Sequence, residues 1–184
     1  MSPSSRPLRR DGMSLILKAL EFAAQKHRDQ RRKDKAASPY INHPIQLANV
    51  LWHEGGVADP AVIAAALLHD TIEDTETSWQ ELRGEFGDEI AGIVLEVTDV
   101  QWLKKIVRKR LQVAKARHAS KGARLVKLAD KICNLRDVAA RPPANWSLER
   151  RQEYFDWAKE VVDKLRGTHP GLERKFDDAY ALKP

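Results

Sequence analysis

The segment from Val62 to Leu68, VIAAALL, is apolar at every position and constrains the fold more than any other. A helix with this sequence has no polar face to expose, so it must lie inside the protein with other elements packed around it. Asp59 and Pro60 precede the segment and favour a helix start, because Asp caps the first turn and Pro fits the first helical position. The polar run HDTIEDT follows directly. We therefore expect a buried helix with a histidine and several carboxylates at its C-terminal end.

Helical patterns also fill the rest of the chain. In the first of them, apolar Ile16, Leu20 and Ala23 recur at three- and four-residue steps. Ser78 followed by Glu81 is a capping-box signature, and no segment shows the two-residue alternation of a strand. We predict helices over residues 13–27, 44–54, 60–68, 78–87, 88–98, 104–118, 121–140, 147–166 and 171–182. The predicted fold class is all-α, a bundle of about eight to ten helices.

Length and composition limit the class of protein. The 184 residues predict one domain, residues 13–184, after a disordered N-terminal tail of residues 1–12. Hydrophobic residues make up 42% and charged residues 32%, which argues against a disordered chain. No apolar run approaches the roughly 20 residues that span a bilayer, so we expect no membrane partner. The single cysteine, Cys133, cannot form an internal disulfide and favours a reducing, cytoplasmic location.

The net charge of +6 is unevenly distributed along the chain. Between Asp70 and Asp99 only Arg83 is basic, whereas the stretch from there to Asp130 has ten basic residues and no acidic one. An acidic block that could hold a cation therefore precedes a basic block that could hold phosphates.

Imidazole and carboxylate side chains at wide spacing form a candidate metal site: His43, His69, Asp70 and Asp130. Asp130 is the most informative, because a carboxylate between Leu128 and Ile132 on a core helix is costly unless something pairs with it. Mixed nitrogen and oxygen donors suit manganese, iron or zinc better than calcium. Such an ion lowers the pKa of bound water, and Glu73 with Asp74 could then transfer protons. Each residue alone could instead cap a helix or form a structural hydrogen bond, but together they favour a metal site.

Several longer motifs carry a family resemblance. They are RRKD at 31–34, PYINHP at 39–44, ALLHDTIEDT at 66–75, FGDEI at 86–90, EVTD at 96–99 and KLADKICNLRD at 127–137. Together they resemble the RelA/SpoT-type alarmone hydrolases among the HD-domain phosphohydrolases, and most of all the small stand-alone form typified by the metazoan SpoT homologue. The resemblance extends over residues 20–180 and implies an HD-domain helical bundle.

The resemblance implies a hydrolase that removes the 3′-diphosphate of guanosine tetraphosphate or pentaphosphate, (p)ppGpp, with Mn²⁺ or another divalent ion. It implies that the metal ligands are His43, His69, Asp70 and Asp130, and that the water is activated and oriented by Glu73 and Asp74. The implied substrate contacts are Arg32 against the base, Lys33, Asn134 on the ribose side, and Lys105 and Arg110 at phosphates. Bifunctional members also carry a synthetase domain, for which this length leaves no room, so we expect a hydrolase only.

Two other functions remain open from the sequence. An HD-domain phosphatase that removes the 2′-phosphate of NADPH would use the same ligands, because both substrates carry a phosphate on a secondary ribose hydroxyl. A basic RNA-binding or interaction module would be favoured if a ligand were missing, and none is. We therefore expect a small-molecule substrate and no nucleic-acid partner, while the oligomeric state is not predicted.

Overall fold

The structure is a computed structural model that describes residues 10–184, and this part of the chain has nine α-helices and one π-helical turn. The π-helical turn, Val50–Glu54, continues α2. The predicted all-α class is confirmed, since the only extended pairing between residues 10 and 184 is an isolated bridge of Arg31 with Pro39. The helices are α1 (Arg10–Lys26), α2 (Asn42–Asn49), α3 (Pro60–Leu68), α4 (Thr71–Asp74), α5 (Trp79–Val97), α6 (Lys105–Ala116), α7 (Lys121–Ala140), α8 (Leu148–Asp163) and α9 (Pro170–Tyr180).

Helix α3 lies at the centre of the bundle, as its apolar sequence predicts. Every residue from Val62 to Leu68 is at most 5% exposed, and α1, α2, α5 and α7 pack around the helix. Its start is also confirmed, because the Asp59 carboxylate accepts a hydrogen bond of 3.0 Å from the Ala61 N–H. Burial of each large aliphatic side chain contributes roughly 1.5–3 kcal/mol, so α3 anchors the core on which the polar residues after it depend.

One glycine breaks α5, and another allows α7 to approach it. Gly87 interrupts α5 with a φ of 84°, a left-handed conformation that costs glycine little, so the two helices predicted on either side of it meet there. Gly122, in the first turn of α7, allows a close approach, since a Cβ atom there would lie 2.6 Å from Ile93 Cδ1 on α5. Ser120 caps α7 by accepting a hydrogen bond from the Ala123 N–H at 3.2 Å. Helix α7 is therefore held close to α5, with its middle facing the end of α3.

The start of α1 differs from the prediction. The helix begins at Arg10 rather than Met13, so residues 10–12 are helical and do not belong to the predicted tail. Asp11 in the first turn favours this earlier start, because a negative charge stabilises a helix N-terminus. Residues 1–9 of the predicted tail lie outside the described residues. Between residues 10 and 184, no helix has both the length and the hydropathy that crossing a membrane requires.

Candidate active site

Three side chains from separate helices meet inside the bundle. His43 from α2, His69 at the end of α3 and Asp130 from α7 each offer a ligand atom, and these atoms lie within 4.8 Å of one another. The two imidazole ring centroids are 5.3 Å apart, and His43 Nε2 is 3.3 Å from Asp130 Oδ1. Because the two histidines are only 3% and 5% exposed, the cluster is largely shielded from bulk water.

Asp70, the fourth predicted ligand, lies beside this cluster. It sits between α3 and α4 with φ −99° and ψ 0°, and this turn brings its Oδ2 atom to 2.9 Å from His69 Nε2. The Tyr40 hydroxyl donates a hydrogen bond to the same oxygen. Asp70 is not one of the three residues whose ligand atoms converge, so its place in the ligand set stays a prediction.

The donor set fits a divalent cation. His69 Nδ1 lies 2.8 Å from the Ala66 carbonyl oxygen, so Nδ1 donates its hydrogen there and Nε2 presents a lone pair. That lone pair points at the Asp70 carboxylate, which is repulsive unless a proton or a metal ion lies between them. His69 Nε2 and His43 Nδ1 are both buried without a hydrogen-bond partner among the described residues, a costly state for polar atoms. A bound cation would remove this repulsion.

The charges of the cluster also favour a cation. Burial by itself lowers the pKa of His69, but the carboxylates of Asp70 and Asp130 outweigh it and raise that pKa to about 9. Burial by itself raises the pKa of Asp130 and of Asp70, yet Lys131 and His43 hold the pKa of Asp130 well below its usual range. His69 likewise lowers the pKa of Asp70 to about 2. The ionised carboxylates of Asp70 and Asp130 thus favour a positive charge at the cluster. A metal ion that binds there displaces the proton of His69.

Metal binding should stabilise the folded protein, because these ligands converge only after folding. At a free metal concentration near 100 times Kd the expected gain is about 2.7 kcal/mol. For a chain of this size that is a rise in Tm of about 5 to 10 °C. Thermal unfolding followed by circular dichroism, with Mn²⁺ and with a chelator, measures it. The His43→Ala variant should show no such rise, and an equal rise in both proteins would exclude His43 as a ligand.

A cavity of about 460 Å³, the main cavity, opens at this cluster. Of the eleven predicted site residues, ten line it and Arg110 does not. Asp70 and the acidic residues of α4 line it together with basic residues of α6 and of the loop after α1. The acidic and basic blocks of the sequence are therefore brought together around one space.

Glu73 and Asp74 reach the main cavity from α4. Glu73 Oε2 accepts a hydrogen bond of 2.9 Å from the Asp99 N–H, and its other oxygen lies 3.4 Å from the Arg108 guanidinium. Asp74 Oδ2 accepts a hydrogen bond of 3.0 Å from the Gln30 side-chain amide. Burial raises the pKa of Glu73 to about 7 against the opposing effect of the Asp99 N–H. A carboxyl group with such a pKa can exchange a proton near neutral pH, which a general base requires.

The predicted substrate contacts are themselves held by neighbouring side chains. Arg32 Nη2 is 2.7 Å from Asp137 Oδ2 on α7, and the two side chains are 18% and 14% exposed. Asn134 Nδ2 donates a hydrogen bond of 2.5 Å to Asp130 Oδ1, so Asn134 orients that carboxylate as well as lining the main cavity. Lys33 lines the same cavity and is exposed.

Arg110 is the one predicted site residue that does not line the main cavity, so its contact with phosphate stays a prediction. It is exposed on α6, whereas Lys105, Arg108 and Lys109 line the main cavity. At 3.6 residues per turn, positions three and four after Lys105 share its face, while Arg110 at five positions is turned about 140° away. Helical spacing from Lys105 is therefore the sequence signal that identifies Arg108 and Lys109.

Further residues of the cavity were not predicted. Lys131 is 4% exposed, and its Nζ atom lies 2.9 Å from Asp130 Oδ2 and 4.4 Å from the Trp157 ring centroid. Trp146 and Trp157 also line the main cavity, with Tyr154 in contact with both. Adjacency to Asp130 is the only sequence signal for Lys131. The aromatic wall depends on how α8 packs against α7.

An all-helical bundle that closes around buried histidines and an aspartate defines a class of protein, the HD-domain proteins. A family model for the HD domain matches residues 19–156, which is 138 of the 184 residues. An HD domain implies a divalent metal ion, and the cluster of His43, His69 and Asp130 is a possible site for it.

Comparisons with individual proteins narrow this class. The chain is 55% identical over 167 residues to the guanosine-3′,5′-bis(diphosphate) 3′-pyrophosphohydrolase MESH1 of Xenopus tropicalis, with coverage of 91% of this chain and 93% of the relative. It is 55% identical over 165 residues to MESH1 of Homo sapiens, with coverage of 90% and 92%. The chain also superposes on a solved structure with a TM-score of 0.89 and 45% identity, covering 98% of this chain and 97% of that one. That structure is described as a metazoan ortholog of SpoT that hydrolyzes ppGpp and plays a role in starvation responses. The chain belongs to the HD-domain family, in the group that includes MESH1 and the metazoan SpoT ortholog.

Proposed function

We propose that the protein is a guanosine-3′,5′-bis(diphosphate) 3′-pyrophosphohydrolase, which removes the 3′-diphosphate of ppGpp or pppGpp and leaves GDP or GTP. The main support is the single cavity in which the His–Asp cluster faces Lys105, Arg108 and Lys109. A nucleotide with two diphosphates needs cationic contacts, and charge-assisted hydrogen bonds to phosphate are stronger than neutral ones. The named activity of the MESH1 relatives supports the same substrate.

We propose Mn²⁺ as the ion, held by His43, His69, Asp70 and Asp130. Mixed imidazole and carboxylate donors support a borderline divalent ion. Such an ion, when bound, lowers the pKa of a bound water and draws charge from a phosphoryl oxygen. Asn134 and Lys131 would keep Asp130 in position, and the Ala66 carbonyl oxygen would fix the ring of His69.

The two carboxylates of α4 would activate and orient the water that attacks the substrate. Glu73 would take a proton from the attacking water, whose oxygen forms a bond to the phosphorus next to the 3′ oxygen. The bond between that phosphorus and the 3′ oxygen breaks, and Glu73 returns its proton to the 3′ oxygen, which becomes the 3′-hydroxyl of GDP or GTP. Asp74, held by the Gln30 amide, would orient the water.

Basic residues would hold the nucleotide. Arg32 would lie against the base, with Lys33 and Asn134 nearby, and Lys105 would contact phosphate. Burial lowers the pKa of Lys105, and the nearby cations Arg150 and Lys109 lower it further. An anionic substrate would relieve this crowding of positive charge.

Removing the ion pair that holds Arg32 in place should weaken substrate binding and leave metal binding unchanged. In Asp137→Asn the guanidinium loses its ion pair, so we expect KM for ppGpp to rise about three- to tenfold with kcat within about twofold, because a partly buried pair contributes roughly 1 kcal/mol. Steady-state kinetics and metal content measure these quantities. A fall in kcat with KM unchanged would contradict a binding role for Arg32.

The substrate is tested by a side-by-side assay with Mn²⁺. We expect pyrophosphate release from ppGpp with a higher kcat/KM than phosphate release from NADPH, the alternative substrate. The reverse order would assign the protein to the NADPH phosphatases. No turnover of either compound by folded, metal-loaded protein would remove both functions.

We further propose that the described helices act as one domain in the cytoplasm. Helices α1 to α9 contribute to one connected hydrophobic core. Cys133 is buried as a free thiol, which suits a reducing compartment.

A further inference from the structure

A second cavity, of about 350 Å³, lies beside the proposed active site. It is formed by the end of α5, the turn after it, α6 and α7. Four residues line both this second cavity and the main cavity: Asp99, Arg108, Gln112 and Lys127. The two cavities therefore share a wall, and a group on that wall can contact either space.

Lys127 on α7 is the most unusual residue of this wall. It is 7% exposed, yet its ammonium group has no hydrogen bond or ion pair within residues 10–184, unlike Lys131 one turn later, which pairs with Asp130 at 2.9 Å. Burial lowers the pKa of Lys127 to about 8 and the charge of Lys131 adds to this effect, while the carboxylates of Asp130, Asp99 and Glu73 oppose it. Arg108 Nε is also buried without a hydrogen-bond partner in the described part of the chain. The Lys127 ammonium thus has no counter-ion within bonding distance among the described residues, and a bound anion would supply one.

The other charged side chains of the second cavity also favour an anion. Its carboxylates are Glu96 and Asp99, and both are already engaged: Glu96 Oε2 accepts a hydrogen bond of 2.6 Å from the Ser120 N–H, and Asp99 Oδ2 accepts one of 2.8 Å from the Gln112 amide. Three cationic side chains and one histidine line the same space: Arg108, Lys115, Lys127 and His118. The space is thus suited to a compact phosphate-type anion.

We propose that the second cavity binds the pyrophosphate that the reaction releases, with Lys127 and Arg108 contacting the anion from the shared wall and Lys115 receiving it on the far side. This inference rests on the proposed function. Pyrophosphate leaves an active site in which it interacts strongly with a divalent ion, and cations next to that site lower the free-energy cost of the separation. The substrate's own phosphates have the same chemistry, so the test must separate the two sources.

The double variant Lys115→Ala/His118→Gln removes two groups that line only the second cavity. We expect the Ki of inorganic pyrophosphate as a product inhibitor to rise about three- to tenfold, with KM for ppGpp within about twofold. Lys104→Ala is the matched control, since Lys104 is an exposed cation of the same basic block outside both cavities. An unchanged Ki in the double variant, or the same rise in the control, would overturn the proposal. Equal rises in KM and Ki would assign the cavity to the substrate and overturn it as a product site.

Lys127→Met gives a test that does not depend on turnover. Calorimetric titration of the metal-free protein with inorganic pyrophosphate should show affinity at least about fivefold weaker in the variant. The Tm of the variant should be equal to or higher than that of the parent, because an apolar side chain replaces an unpaired buried charge. Unchanged affinity, or a Tm lower by several degrees, would overturn the role of Lys127. If ppGpp is not hydrolysed while the variant still binds pyrophosphate more weakly, the proposed function fails and the anion site stands.

Discussion

Replacing Asp130 with asparagine should abolish ppGpp hydrolysis and weaken Mn²⁺ binding at least about 100-fold, while the protein stays helical. Asp130 is the one carboxylate among the three residues whose ligand atoms converge. Asparagine keeps the shape of the side chain and can still accept a hydrogen bond from Lys131. Alanine would leave that buried ammonium unpaired, at a cost of about 3–5 kcal/mol, and would confuse loss of metal with loss of fold.

Metal content after dialysis, calorimetric titration with Mn²⁺ and far-ultraviolet circular dichroism measure the outcome. Asp163→Asn is the matched control, because it removes a more exposed carboxylate on α8 that pairs with Lys159. The control should bind metal and turn over ppGpp as the parent does. Stoichiometric metal in Asp130→Asn would contradict the ligand assignment.

Replacing Glu73 with glutamine should leave metal binding intact and lower kcat by about 10²- to 10⁴-fold, the usual contribution of a general base. Glutamine can still accept the hydrogen bond from the Asp99 N–H, so the turn after α5 keeps its anchor. What the variant loses is the ability to take a proton from water. Glu76→Gln, an exposed residue outside the main cavity, is the matched control and should retain the parent rate.

The pH dependence of kcat gives an independent readout of Glu73. Burial raises the pKa of this carboxyl to about 7, and only its ionised form can accept a proton. The parent rate should therefore rise with pH and level off once the carboxyl is ionised. Because a bound cation favours the ionised form, the midpoint should lie at or below 7. A rate profile of Glu73→Gln with the same acid limb as the parent would assign that limb to another group.

Local patterns were enough to predict most of the helices. The apolar run before His69 fixes α3 in the core, and Ser120 with the break before Pro142 gives α7 its observed bounds, Lys121–Ala140. Gly87 marks the break in α5 because its backbone needs a positive φ. Capping and hydrophobic periodicity involve neighbours within a few residues, so they can be read from the sequence.

Contacts between separate helices could not be predicted in this way. The ion pair of Arg32 with Asp137 joins residues 105 positions apart, and no local pattern at either residue indicates it. The unpaired state of Lys127 likewise depends on the packing of α5, α6 and α7 around it. The position of Arg110, in contrast, could be predicted, because its spacing on α6 places it on a different face from Lys105.

The most direct test is to titrate metal-free protein with Mn²⁺ and to follow pyrophosphate release from ppGpp. We predict that the rate is negligible without metal, rises in proportion to added Mn²⁺ and levels off at one equivalent per chain. A rate that does not depend on metal, or no pyrophosphate release from folded protein that has bound one equivalent, would contradict a single-metal 3′-pyrophosphohydrolase.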